Sequence, residues 1–384
     1  MILNMGPQHP STHGVLRLVL ELDGEIIVNV EPDIGFLHTG IEKTCEMKRF
    51  NQVTPLTDRM DYLNPLGNNL VYALAVEKLL NLEVPKRAQY ARVMLAELTR
   101  IGSHMLWLGT HALDIGAMSV FFYCWRERER VLELMEHISG VRMMTSLIRV
   151  GGVSKKITPE WLDMVKQFMD DFPERVQLFE NLLTENPIWK DRTIGVGVLT
   201  VDEALSLCMS GPALRASGLA LDFRKSSPYS SYEDFDFAIP SCFNGDVYDR
   251  YRVRIEELKE SMKIINQVLE KLPEGDIWTD DRKITPPVEG ELEESMEAMI
   301  HHFKQVTSGY KVPKGESYVS VESPKGELGC YLVSDGSENP YRVHFRAPSF
   351  MNIPGMCKMM EGKFISDVIA IIGSVDIVMG EVDR

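Results

Sequence analysis

The sequence predicts an α+β protein, and three stretches carry that prediction. Val15 to Val30 alternates apolar and polar residues around Asp23-Gly24, as a β-hairpin with a tight turn does. From Asp58 to Leu183 apolar residues recur at helical spacing in several long segments. From Tyr318 to Phe345 three short alternating runs are separated by Pro324-Lys325-Gly326 and Asp335-Gly336, the pattern of a three-stranded meander. A β-rich N-terminal edge, a helical core and a C-terminal β-meander follow.

Taken in order, Gly6 to Gly14 reads Gly-Pro-Gln-His-Pro-Ser-Thr-His-Gly, a shaped loop rather than a helix, because its prolines fix φ and Gly14 permits an unusual one. Pro32 to Gly40, with His38, is loop-like, and Ile41 to Pro55 is ambiguous. Asp58 to Leu80 reads as a helix, with Asp58 favourable at its start. Val84-Pro85 opens a second that runs to about Gly116. Ser119 is positioned to cap a third, whose Trp125 to Glu136 segment mixes Arg and Glu as a solvated or subunit-facing surface does. Thr158-Pro159 caps a fourth, to Leu183. Arg192 to Thr200 reads as a short extended run, Asp246 to Leu272 and Glu291 to Lys304 as helices, and Phe364 to Ile372 as a final helix ending before Gly373. The whole, residues 1–384, is expected to form one unit: β-rich over 1–55, mainly helical over 56–310, and meander plus C-terminal helix over 311–384.

Composition excludes several classes. Over 384 residues, 44% hydrophobic and 25% charged content are those of a globular chain. A net charge of −15 argues against a nucleic-acid partner, which needs a basic stripe. Cys45, Cys124, Cys208, Cys242, Cys330 and Cys357 form no CxxC pair, which fits reduced thiols and not a cluster site or disulfide framework. The N-terminus lacks a signal-peptide pattern, and the apolar run Phe364 to Met379 contains Asp367 and Asp376, so any link to a membrane is expected through partners.

Three polar features could carry chemistry. His9 and His13 flank the loop before the first strand, where they could serve a proton-transfer or ligand site, or simply satisfy neighbouring backbone. Tyr62, in Asp58-Arg59-Met60-Asp61-Tyr62, reads first as a core or interface aromatic. With its hydroxyl opposite, the histidine pair could hold the two carbonyls of a flat acceptor and deliver protons as it is reduced. His104, His111 and Asp114 can share one helical face, which permits a two-His-one-Asp metal site, though a buried polar network between helices weighs more.

With these stretches assembled, the chain resembles the 49 kDa subunit of respiratory complex I, the bacterial NuoD type. The motifs run end to end: GPQHPSTHGVLRLVLELDGE at 6–25, DRMDY at 58–62, LAVEKLL at 74–80, HALDIGAM at 111–118, LRASG at 214–218, LDFRKSSPY at 221–229, GDVYDRY at 245–251, IHHFK at 300–304, ESPKGELGCYLVSDGSENPYR at 322–342 and GEVDR at 380–384. The resemblance implies a fold related to the large subunit of nickel–iron hydrogenases. It also implies no metal on this chain, since the paired CxxC ligands of those enzymes are missing.

What the family does is then expected here: quinone, ubiquinone or menaquinone, is reduced in a cavity facing a small iron–sulfur subunit of NuoB type, whose 4Fe–4S cluster supplies the electrons, and the reduction is coupled to proton translocation. NADH and FMN are used by other subunits. NuoC-type, NuoI-type and membrane NuoH-type subunits are further expected partners, and the chain is expected to lie peripherally on the cytoplasmic side of the plasma membrane. By resemblance His13 and Tyr62 are the headgroup ligands and Asp114 the acid that partners His13, while His9, Asp376 and Val378 lie near the same cavity. His38, Thr39, Met144 and Arg149 would lie near the neighbour's cluster.

Three departures stand out. Thr39 occupies a position where the family commonly has Arg, Met144 one where it has His, and Asn68-Asn69 one where it often has Asn-Glu. Loss of a cation and of a titratable group beside a cluster predicts a lower potential with a flatter pH dependence, suited to a low-potential quinone such as menaquinone. The same residues leave room for a related complex fed by another donor, such as ferredoxin, or for a scaffold with weak quinone activity.

Overall fold

The computed structural model describes residues 1–287 and 290–384. It is mixed helix and sheet, with small antiparallel sheets near both ends of the chain. In the N-terminal sheet Ile2–Met5 pairs with Arg17–Asp23, which pairs with Ile26–Asp33 through a turn at Gly24, whose φ of 63° suits glycine. Leu16, Leu18, Leu20 and Leu22 all point inward, so the period-two pattern read from the sequence is the buried face. The first strand, Ile2–Met5, completes a sheet that the hairpin pattern alone does not announce.

The long helices stand close to their predicted places. Lys86–Asp114 follows Pro85, Met118–Ser139 follows Ala117, and Pro159–Leu183 begins where Thr158 Oγ1 accepts the Trp161 N–H. Val247–Lys271 begins at Asp246, whose carboxylate accepts the Asp249 N–H. The meander is Gly315–Ser323, Gly326–Ser334 and Arg342–Arg346, in register through Val321 with Leu328 and Cys330 with Phe345.

Several local expectations are corrected. The helix expected from Asp58 begins at Pro65, because a residue before proline is driven out of the α region and Pro65 suits the first helical turn. Asp58 instead ends the preceding helix, Phe50–Thr57, one of two short helices in the ambiguous stretch. Residues 194–200 form turns and coil rather than a strand, following the helix Pro187–Thr193. The last apolar run is the helix Val368–Val375, and Gly373 lies inside it, where a side chain would strike the His111 ring 2.5 Å away. Ser119 falls within its helix and does not cap it.

Apolar side chains gather in two clusters. The larger packs the long helices against the meander, and the smaller packs the N-terminal leucines against the C-terminal helices Pro348–Met360, Val368–Val375 and Met379–Asp383. The second cluster therefore brings the two ends of the chain together. A buried ionic lattice also ties the helices to the meander. Glu97 accepts from Arg100 at 3.2 Å, Arg224 at 3.1 Å, Tyr232 at 2.6 Å and Ser261 at 2.7 Å. Arg215 bonds Glu322 at 2.8 Å and also Glu257, whose other oxygen lies 2.8 Å from His104 Nε2. These buried charges are paired, as their desolvation demands. Among the described residues no helix is long and apolar enough to cross a membrane.

Candidate functional site

The loop before the first hairpin folds into one short 3-10 turn, Pro10–Thr12. His9 caps it, its Nδ1 accepting the Ser11 N–H at 3.2 Å, so for this histidine the bond to neighbouring backbone is real. His13 follows in the left-handed region at φ 53°, an uncommon conformation for a side-chain-bearing residue. The residue keeps accessible surface, while protein packs closely around its ring. Desolvation, helped by the Lys325 ammonium, holds it neutral, its pKa lowered to about 4.

Tyr62 lies on the turn between Phe50–Thr57 and Pro65–Leu80, half-buried. Burial raises its pKa, with Asp61 and Asp376 adding to the rise and Lys325 opposing it. Tyr62 lines a small cavity of about 40 Å³ with Leu63, Leu66, Thr99, Met143 and Thr145. The DRMDY turn holds more than this tyrosine. Asp58, buried, accepts from Asn69 at 2.8 Å and from Ser146, and so anchors the loop that carries Met144. At Asn69 the amide is the complement of that carboxylate; a glutamate would face Asp58 with like charge.

Asp114 ends the long helix and is half-buried, its pKa raised by burial. Its Oδ1 accepts from Ser11 Oγ at 3.5 Å, and His9 is the histidine that acts on it electrostatically. Among the described residues no hydrogen bond joins it to His13. The histidine that resemblance makes an aspartate-poised imidazolium is thus neutral here, and the same loop reaches Asp114 through Ser11.

His104, His111 and Asp114 go to three different neighbourhoods: His104 to Glu257, His111 into a buried nest with Trp107 and Trp189, Asp114 to Ser11. Seven residues separate the two histidines on one face, but each meets a different packed element. Among the described residues no group of three His, Cys, Asp or Glu side chains converges as a metal ion requires.

Of the remaining predicted positions, Asp376 is buried at φ 59° just past Val368–Val375, and Val378 is buried with its N–H donating to Ser349 Oγ at 3.2 Å. His38 and Thr39 are exposed on the loop after the third strand. That loop is clamped by the C-terminus: Asp383 accepts the Gly35 and Leu37 N–H groups at 2.8 and 2.7 Å, and its carbonyl lies 2.5 Å from His38 Nδ1. Met144 takes φ 55°, and the exposed Arg149 donates from Nε to the Ser146 carbonyl at 3.2 Å.

Sequence reasoning passed over the group at the centre. Lys325, read only as part of a turn, is buried, its Nζ 3.0 Å from Asp61 Oδ2, 3.7 Å from Asp376 Oδ2 and 3.0 Å from Ser103 Oγ. Glu381, read only as part of GEVDR, feels both Asp61 and Lys325. A lysine flanked by Pro and Gly signals a turn, and nothing in its local pattern signals burial.

The family model of the respiratory-chain NADH dehydrogenase 49 Kd subunit matches residues 114–384. The chain is 58% identical over its full length to a Chloroflexus aurantiacus protein, of which 94% is covered, and 57% to one from Koribacter versatilis, 96% covered; both are named as D-type subunits of NADH-quinone oxidoreductase. A Geotalea uraniireducens protein that carries the same D-type name is 53% identical over the full chain, with 98% covered. This similarity defines a subunit of an oxidoreductase complex, one that works with other subunits. The chain belongs to the family of the 49 kDa subunit of respiratory-chain NADH dehydrogenase, the D-type subunits of NADH-quinone oxidoreductase.

Proposed function

We propose that this chain builds the quinone-headgroup site of its complex, with Tyr62 and His13 on the two carbonyls and Asp114 as the acid behind the histidine loop. One observation carries the reading: Tyr62 and His13, from distant parts of the sequence, both lie in the field of the buried Lys325 ammonium. A neutral imidazole donates one hydrogen bond to a quinone oxygen and can accept a proton on its other nitrogen. A phenol held neutral by burial donates to the second oxygen and gives up its proton only to a strong base, which a reduced headgroup oxygen is. The pair therefore orients the oxidised ring and protonates the reduced one.

In this reading electrons come from the 4Fe–4S cluster of a NuoB-type neighbour, facing the clamped His38–Thr39 loop, the Met144 loop and Arg149. NuoC-type, NuoI-type and membrane NuoH-type subunits complete the assembly on the cytoplasmic side, NADH and FMN act elsewhere in it, and reduction is coupled to proton translocation. His9, Asp376 and Val378 support the cavity wall.

The test is Tyr62→Phe in the assembled complex, with an upstream artificial acceptor as control. Loss of quinone turnover by roughly a hundred-fold, with upstream activity intact, is expected for removal of a proton donor. Unchanged quinone turnover would sink the assignment.

A further inference from the structure

Near Tyr62 two carboxylates pair with one ammonium, and a third acts on it electrostatically. Asp61 and Asp376 lie 3.0 and 3.7 Å from Lys325 Nζ, and Glu381 acts on the same pair of charges from the C-terminal helix. All four side chains are buried. Glu381 Oε2 accepts the Ser349 N–H at 3.1 Å, but its Oε1 has no hydrogen-bond partner among the described residues. The next cation, Arg254, is committed to the Ser374 and Val375 carbonyls at 2.8 and 3.3 Å and reaches Asp376 only electrostatically. Even counting Arg254, three carboxylates face two cations, and an uncompensated carboxylate in a dry interior takes up a proton instead of staying charged.

The cluster also touches the tyrosine. Asp61 is its neighbour in the chain, and Gly380, next to Glu381, packs so closely that a Cβ there would lie 3.1 Å from the Tyr62 ring. A tyrosinate left here after proton donation would carry its charge beside Asp61, which favours return of a proton from the Asp376 carboxylic acid.

We propose that Asp61 and Asp376, bridged by Lys325, form with the adjacent Glu381 a proton store that reloads Tyr62 after each donation to the reduced headgroup. This rests on Tyr62 being a headgroup ligand. The step moves one proton and no electrons: the Asp376 carboxylic acid becomes carboxylate as the Tyr62 phenolate becomes phenol, and Lys325 lets Glu381 and Asp61 share the new charge. The store refills from solvent between turnovers. The electrostatic environment agrees, with Asp376 raised to about 6 and Glu381 to about 7, mainly by burial.

The sign of the pH effect follows. An acid donates only while protonated, so turnover falls as pH rises past the range in which the cluster holds its proton. Replacing Glu381 by Gln removes one of the three negative charges that act on Lys325. The Asp376 pKa then drops, and the alkaline limb moves to lower pH.

The experiment measures quinone turnover against pH, in water and in deuterium oxide, for assembled complexes carrying Glu381→Gln or Asp376→Asn, beside Tyr62→Phe. The expected result for Glu381→Gln is a roughly ten-fold lower kcat at alkaline pH, an alkaline limb displaced to lower pH and a larger solvent isotope effect, with the quinone KM unchanged. Asp376→Asn, which removes the donor itself, is expected to lower kcat about ten-fold across the pH range with the larger isotope effect. A merely structural role would raise KM or cost assembly and leave the isotope effect alone, and that outcome overturns the proposal. So does a parental pH profile in both variants while Tyr62→Phe is inactive, which leaves the headgroup site standing. Full activity of Tyr62→Phe removes both.

Discussion

Gly380 shows how little room the site leaves a single residue. A methyl group at this position would stand 2.6 Å from the Met60 carbonyl and 3.1 Å from the Tyr62 ring. Neither neighbour yields cheaply, since one is backbone and the other is the half-buried ring itself. Gly380→Ala is expected to cost about 1–3 kcal/mol of stability by overpacking and to push Tyr62 off its position. In the assembled complex quinone turnover should drop at least several-fold, with the quinone KM raised and upstream acceptor activity kept. Parental kinetics would show that Tyr62 does not depend on this contact. Asp61, Lys325 and Glu381 are the other residues whose weight is visible only in place, because each takes its meaning from the charges around it.

Among the elements, the C-terminal segment acts as a clamp. Asp383 gathers the Gly35 and Leu37 N–H groups, while Arg384 pairs with Glu42 at 3.1 Å and stacks over Phe350. Together these hold the loop that presents His38 and Thr39. Charge-assisted bonds to backbone N–H groups contribute about 1.5–3 kcal/mol. Asp383→Ala should therefore free residues 34–40 without unfolding the sheet, which amide hydrogen exchange of the complex would report as faster exchange confined to that loop. Uniform exchange across the N-terminal strands would mean that the clamp holds the sheet itself. The Asp58 turn plays the same part for the Met144 loop. Two separate anchors thus present the two faces expected to flank the neighbour's cluster.

Over the molecule and its complex, the chain's departures from its family are proposed to face the partner. Thr39 and Met144 stand on those two anchored loops in place of a cation and a titratable group, which should keep the neighbouring cluster's potential low and insensitive to pH. Restoring the charges tests this: Thr39→Arg should raise the midpoint, and Met144→His should make it fall as pH rises through the histidine range. Redox titration of the assembled complex across pH would show both, and a parental midpoint already steep in pH would contradict the reading. Across the chain, the ionic lattice of Glu97, Arg215, Arg224, Glu257 and Glu322 accounts for several motifs shared with the family. LRASG and LDFRKSSPY supply Arg215 and Arg224, so those motifs hold the helices and meander together.

What could be read directly was what repeats locally. The leucine alternation of the first hairpin, the Thr158-Pro159 helix start and the turns of the meander all stand where their residues place them, because strand and helix periods depend on near neighbours. The family motifs likewise marked His13, Tyr62 and Asp114 as candidates. Their relations were not legible. Asp114 meets Ser11 rather than His13, His104 and His111 part company on one helix, and a lysine in a Pro-Lys-Gly turn becomes the centre of a buried cluster. Those pairings join residues far apart in the chain, and local pattern carries no information about them. Residue order alone was enough for the fold class, the family and the chemistry available. The packing of the N-terminal sheet against the C-terminal helices settled which of those groups share a field, because desolvation and Coulomb energy depend on distance in space.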